Sequence, residues 1–182
     1  MKTRLILILL IATISGHAQD KYFTKNGNIK FYSHAPLEDI EAINKQVAAF
    51  INIETGELTF AVLIKSFEFE KALMQEHFNE NYLESDKYPK SLFKGKIEDY
   101  DKDMLLSGND YSFGVNGKLT IHGVTKEVKA NGKLKYNNSK IEGSSVFIVK
   151  PEEYKIKIPA AVKDNIAKEI EVTVTVLLEP KI

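Results

Sequence analysis

The sequence predicts an all-β protein built on one antiparallel sheet. Three observations carry that prediction. Apolar and polar residues alternate with a period of two in segment after segment, the spacing of half-buried strands. Turn-forming pairs separate these segments at short intervals. Only one stretch shows a helical period, so the repeated helical crossovers that parallel strands require are missing. The 182 residues suit a single domain, long enough to bury a substantial core.

The elements follow in order. Ile29 and Phe31 alternate with Asn28, Lys30 and Tyr32. Pro36 to Glu41 reads as a loop with a short helical turn. Val47, Ala49, Ile51 and Ile53 alternate with Ala48, Phe50 and Asn52, and Thr55-Gly56 forms a turn. Leu58, Phe60, Val62 and Ile64 then alternate with Thr59, Ala61 and Leu63. Over 70–83 the pattern changes: Leu73, Met74, Phe78, Tyr82 and Leu83 recur at helical spacing among Gln75, Glu76, Asn79 and Glu80. Asp86 to Pro89 ends this helix, because a proline pushes its predecessor out of the helical region.

Strands resume after Pro89. Phe93, Gly95 and Ile97 share one face. Asp99 to Asp103 and Ser107 to Asp110 are turn-like polar clusters. Phe113, Val115, Leu119 and Ile121 share a face, with Asn116-Gly117 a place for a bulge or a break. Val128, Ala130, Leu134 and Tyr136 oppose Thr125, Glu127, Lys129, Lys133 and Lys135, and Asn137-Asn138 is a turn. Ile141 to Val149 is a strand of ambiguous phase, since Val146 to Val149 run together. The last strand sets Ile170, Val172, Val174, Val176 and Leu178 against Glu169, Glu171, Thr173, Thr175 and Glu179. The tally is about eight strands, a sheet that must close on itself or pair two layers to manage its edges. Pattern alone leaves barrel and sandwich open.

The N-terminus is a separate object. Lys2 and Arg4 precede an almost wholly apolar run, Leu5 to Ile14, followed by Ser15-Gly16-His17-Ala18. That order of basic, apolar and small residues predicts a cleaved leader over 1–18 and an exported domain over 19–182, periplasmic or secreted. The apolar run falls short of the ~20 residues a spanning helix needs, so no stable membrane insertion is expected. A formal net charge of +0 gives no basic footprint, and no nucleic-acid partner is expected. The absence of cysteine excludes a disulfide framework, a thiol nucleophile and a cysteine-linked lipid anchor.

Catalytic patterns are scarce. Beyond the leader the histidines are His34, His77 and His122, far apart and in no metal-ligand spacing. There is no nucleophile elbow, phosphate loop or dinucleotide fingerprint. Carboxylates are scattered along the polar phases, and nothing brings two of them into one cleft. Each histidine is expected to be exposed or held structurally by hydrogen bonds. No catalytic residue, metal or cofactor is expected.

Aromatic residues say more. Phe31, Phe60, Phe67, Phe69, Phe78, Tyr82, Phe93, Phe113 and Phe147 fall in or near strands and the helix, mostly on the inward phase. An ordinary packed core explains any one of them. An eight-stranded barrel also holds one small ligand where its own side chains leave space. Gly95, Gly117, Ala130, Gly132 and Gly143 lie on or near inward phases and are expected to leave such room.

The most specific stretch is Leu119-Thr120-Ile121-His122-Gly123-Val124-Thr125-Lys126-Glu127-Val128. By pattern it is a hairpin, with Gly123 interrupting two alternating runs. It resembles the hairpin signature of the YceI family of periplasmic polyisoprenoid-binding proteins, whose usual form is close to L-T-(I/L)-H-G-V-T-K-x-V. Glu127 stands where proline is common in the family. The resemblance extends to the helix and the following Tyr88-Pro89-Lys90-Ser91-Leu92-Phe93, to Phe147 to Pro159 with Tyr154, and to the closing strand over Ile166 to Leu178. It covers about residues 22–180. Two departures mark a divergent branch: the arginine-aspartate pair before the helix is absent, and Pro151-Glu152-Glu153-Tyr154 replaces an arginine-containing loop.

The resemblance implies a lipocalin-like antiparallel barrel with an apolar cavity capped by the helix, and no enzymatic activity. Its ligand would be an isoprenoid, as a quinone or polyprenyl phosphate, or a fatty-acid-like amphiphile. It is compatible with a homodimer. Inward phase and placement near the helix then select Phe60, Val62, Phe78, Tyr82, Phe93, Phe113, Leu119, Ile121 and Phe147 as the expected cavity wall. Two other readings stay open: a filled barrel acting as a structural or protein-interaction module, and an enzyme with one of the histidines beside a carboxylate or metal in the cavity.

Overall fold

The computed structural model describes residues 20–181, so the predicted leader lies outside the described residues. The strands are β1 (Lys21–His34), β2 (Asp39–Asn52), β3 (Glu57–Leu63), β4 (Glu68–Phe69), β5 (Lys90–Ile97), β6 (Tyr111–Ile121), β7 (Val124–Asn137), β8 (Lys140–Val149) and β9 (Ile170–Pro180). Every pairing is antiparallel, in the order β1-β9-β8-β7-β6-β5-β3-β2, and β2 pairs back onto β1. The sheet is therefore a closed eight-stranded barrel in which each strand has a hydrogen-bonded partner on both sides. The short β4 adds to β2 at Ala42 and Ile43, outside that circuit.

Hairpin geometry follows from local sequence. Ile121 pairs with Val124 across His122 (φ 51°) and Gly123 (φ 72°), and Asn137 pairs with Lys140 across Asn138 (φ 49°) and Ser139 (φ 61°). Two consecutive left-handed residues make the two-residue turn whose twist matches the flanking strands. Gly123 also sits against a ring: a Cβ there would lie 2.5 Å from Tyr88 Cε1.

Four expectations from sequence are revised or resolved. Asn116-Gly117 neither bulges nor splits β6, whose register to β7 runs unbroken from Tyr111 to Ile121. The phase of β8 is fixed by its partners: Gly143 opposes Val176 and Phe147 opposes Val172, leaving Val146 and Ile148 outside at 56% and 51% exposure. The loop after β1 is shorter than expected, since β2 begins at Asp39. The polar clusters around residues 99–110 contain a helix, α2 (Lys102–Leu106), capped where Asp101 Oδ1 accepts from Met104 N at 3.0 Å. The helix gains its stability from tertiary contact, because it drives Leu105 to 0% exposure as a plug in one end of the barrel.

The plugged end is rich in tyrosine. Tyr100 donates its hydroxyl to Ile53 O at 2.7 Å, and Tyr111 Oη accepts from Asp101 N at 3.2 Å. Burial pushes the Tyr100 phenol up to about 12. Tyr22 is likewise pushed up to about 12, by burial first and then by Tyr136 beside it.

The opposite end carries the lid. The expected helix is present as α1 (Ala72–His77), continuing through a wider turn over Phe78–Tyr82. Beside it the barrel wall is incomplete. The β7–β8 ladder extends only from Asn137↔Lys140 to Gly132↔Ser145. Beyond Ser145, whose Oγ donates to Asn131 O at 2.6 Å, the two strands part.

Candidate functional site

Two apolar voids lie inside the barrel. The upper, about 330 Å³, sits under the lid, and the lower, about 110 Å³, lies toward the plugged end. Ile29, Val62, Ser91, Leu119 and Phe147 border both, so the voids adjoin at a waist lined by these residues.

The residues expected at the wall divide between the two. Phe78, Tyr82 and Ile121 border the upper void. Phe60, Phe93 and Phe113 border the lower. Val62, Leu119 and Phe147 stand at the waist. The structure thus brings all nine to the barrel interior, from four strands and the lid.

The small residues behave differently from expectation. A Cβ at Gly95 would lie 2.5 Å from Phe93 Cζ, one at Gly117 2.6 Å from Phe93 Cε2, and one at Gly132 2.6 Å from Phe113 Cζ. These glycines make room for two phenylalanine rings that fold across them. The rings fill much of the lower barrel, which explains why the lower void is the smaller. Ala130 and Gly143 do border it.

Other wall residues were not selected from sequence. Phe31, Phe67 and Phe69 join the expected Phe78 in an aromatic cluster under the lid, with ring centroids 5.0 to 5.7 Å apart. Ile156 and Ile158, in the long connection between β8 and β9, close another side of the upper void. Their only sequence signal is the Lys155-Ile156-Lys157-Ile158 alternation, too short to read as a strand.

Polar groups collect at the rim. Glu38 accepts from Lys71 Nζ at 3.0 Å and from Asn165 Nδ2 at 3.4 Å, tying the β1–β2 loop to the lid and to the connection before β9. The Lys71 ammonium holds the Glu38 carboxyl below its usual range. Ser33, buried inside the rim, accepts from Ala167 N at 2.9 Å. On the far flank His122 bridges two elements, with Nε2 2.6 Å from Glu84 Oε2 and Nδ1 3.2 Å from Tyr154 O. The Tyr88 ring stands edge-on to the imidazole at 4.6 Å. His34 is exposed and lies 2.6 Å from Asp39, while His77 borders the upper void from the lid. Among the described residues no group of three or more His, Asp or Glu side chains is placed to hold a metal. No described helix is long and apolar enough to cross a membrane. The arrangement suits an elongated apolar group, with polar contacts at the rim and from Ser91, Ser144 and Ser145 along the wall.

Comparison with known proteins gives the same architecture. A family model for the YceI-like domain matches residues 21–178. The fold is similar to that of a polyisoprenoid binding domain from Saccharophagus degradans implicated in plant cell wall breakdown, with TM-score 0.75 and 13% identity over 89% of this chain and 99% of that one. It is similar to BcnA of Burkholderia cenocepacia, with TM-score 0.69 and 16% identity over 84% and 95%. It is similar to the YCEI protein of Campylobacter jejuni, with TM-score 0.63 and 19% identity over 81% and 90%. No curated protein sequence matches significantly.

Proposed function

The chain belongs to the YceI-like family, and from that premise we propose that it is an exported, non-catalytic carrier of a single-chain lipid, either an isoprenoid or a fatty-acid-like amphiphile. The observation that carries this reading is the pair of adjoining apolar voids under a lid. A filled-core interaction module would have no use for them. The leader-like residues 1–18 support export to the periplasm or beyond, and the polyisoprenoid-binding relative from Saccharophagus degradans supports the ligand class.

Magnitudes favour a chain over a compact ligand. At the ~30 Å³ share of a small liquid molecule, voids of about 330 and 110 Å³ accept on the order of fifteen methylene-sized groups. Each buried methylene contributes ~0.8 kcal/mol, roughly 12 kcal/mol gross for such a chain. Association costs about 4–15 kcal/mol, so a few carbons fall short of that cost while a full chain is comparable to it.

The test is native mass spectrometry of gently purified protein, followed by titration with an isoprenoid quinone and a fatty amide. A co-purifying lipid or micromolar binding is expected. In Val62→Phe, which puts a ring at the waist, binding should weaken at least about tenfold, since overpacking the space a ligand needs removes it. No lipid in repeated preparations and no binding of either probe would overturn the proposal. Chemical change in the added lipid would overturn its non-catalytic part.

A further inference from the structure

We infer that the ligand chain enters the barrel sideways, through the parted seam between β7 and β8, and that His122 is the positioning residue that holds the upper end of this seam closed. The inference rests on the lipid-carrier reading and adds the route and its latch.

The seam is a long break in the barrel wall. Residues 124–131 of β7 pair only with β6, and residues 146–149 of β8 pair only with β9. No backbone hydrogen bond links the two segments. Both banks of the gap face the interior: Val128 and Ala130 border the lower void, Val149 the upper, and Phe147 both. An opening here would meet the interior at its waist, so a chain could extend up and down from one point.

Burial shows that water already reaches this bank. Where the ladder holds, the cavity-phase residues of β7, Gly132 and Leu134, are buried. Where it parts, Val128 and Ala130 are only half-buried. Lys126 opposes Leu119 in the β6–β7 register, so it occupies the cavity phase, yet it is exposed. A lysine on that phase of an intact wall would bury its charge. At an open edge it keeps its ammonium in water, and an inward-phase lysine also discourages another strand from pairing there. The seam is thus guarded against being zipped shut by a second chain while staying passable to a lipid.

The upper end of the seam is closed by contacts, not by a ladder. Pro151 to Tyr154 turns across it, and Tyr154 is buried. The tip of the β6–β7 hairpin is held to that turn by His122 Nδ1 on Tyr154 O, and to the turn just after the lid by His122 Nε2 on Glu84. One side chain therefore joins the hairpin, the Pro151 to Tyr154 turn and the turn that follows the lid. Removing it frees the hairpin tip to swing and widens the seam without touching a wall residue of either void.

The chain has no cysteine, so introduced pairs can be stapled cleanly. Glu127→Cys with Ile148→Cys places two exposed thiols on the outer faces of the two banks. Leu37→Cys with Leu73→Cys places two on the loop and lid that Glu38 and Lys71 join. Each pair is bridged with a reducible bis-maleimide. Association of a pyrene-labelled hexadecanoic acid is then followed by stopped flow, with equilibrium binding by the unmodified chain measured first. Absence of that binding sinks the carrier reading itself. With binding in hand, the seam staple is expected to slow association at least about tenfold and reduction to restore it, because closing an obligatory route acts on the on-rate. The lid staple should change it less than twofold. His122→Ala should speed both association and release, leaving the equilibrium constant within about threefold. An unchanged rate with the seam stapled, slowing by the lid staple instead, or unaltered rates in His122→Ala would overturn the inference.

Discussion

Phe93 shows how single residues set the size of the interior. Its ring folds over the directly opposed pair Gly95 and Gly117, on β5 and β6. A side chain at Gly117 would meet Phe93 Cε2 at 2.6 Å and Lys94 O, a backbone atom, also at 2.6 Å. The ring has some freedom to give way, but the carbonyl has little. Gly117→Val is therefore expected to cost ~1–3 kcal/mol, the usual range for overpacking. Denaturant titration would measure it, and a midpoint equal to that of the unaltered chain would show that the ring and strand yield freely. The pairing of aromatic ring and glycine was half legible in sequence. Inward glycines were visible, but whether the space above them is empty or holds a neighbour's ring depends on χ angles that no periodicity records.

At the scale of elements, the lid is the least self-sufficient part of the fold. Its α-helical portion is six residues, has no side-chain N-cap and buries none of its residues fully. So short a helix is unstable alone. Its hold comes from the Phe78 ring within the aromatic cluster and from Glu38 on Lys71 at the helix start. Because Lys71 lowers the native pKa of Glu38, this tie is fully present above the unfolded value of about 4.3 and is lost as pH falls through the lower native value. Hydrogen exchange of the amides over residues 72–78, corrected for intrinsic rate, should show protection falling on acidification from neutral pH into that range. Glu38→Gln should start less protected and lack most of that slope. Equal slopes in the two proteins would remove Glu38 from the lid's hold. Strands were readable because each is half-buried, as in Ile170 to Leu178 against Glu169 to Glu179. The helix α2 was not, since five residues are too few to repeat a helical period. The parting of β7 from β8 was not legible either. Alternation along β7 is the same with or without a bonded neighbour, and its one trace is Lys126 on the apolar phase.

At the scale of the molecule, the barrel keeps its interior partly empty, and emptiness has a thermodynamic consequence. Side chains bordering a void lack partner atoms on one side and forfeit dispersion contacts. A chain that fills the void restores them, and does so only in the folded state. Mass action then stabilises the fold by about 2.7 kcal/mol at a hundredfold excess of ligand over Kd. For a domain of this length each kcal/mol moves Tm by about 2–4 °C, so a rise on the order of 5–10 °C is expected. The voids' limited volume adds a sharper expectation. Across a homologous series of lipids at fixed concentration, each added methylene should raise Tm while it still lies within the barrel, at ~0.8 kcal/mol of affinity per methylene. Once the chain exceeds on the order of fifteen carbons, further methylenes lie in the seam or outside it, and the gain should flatten. Differential scanning calorimetry over chains of about eight to twenty-four carbons would trace the curve. A Tm that climbs steadily to the longest chain would mean that the barrel expands around its ligand, and a Tm indifferent to all of them would mean that the voids are not a lipid site.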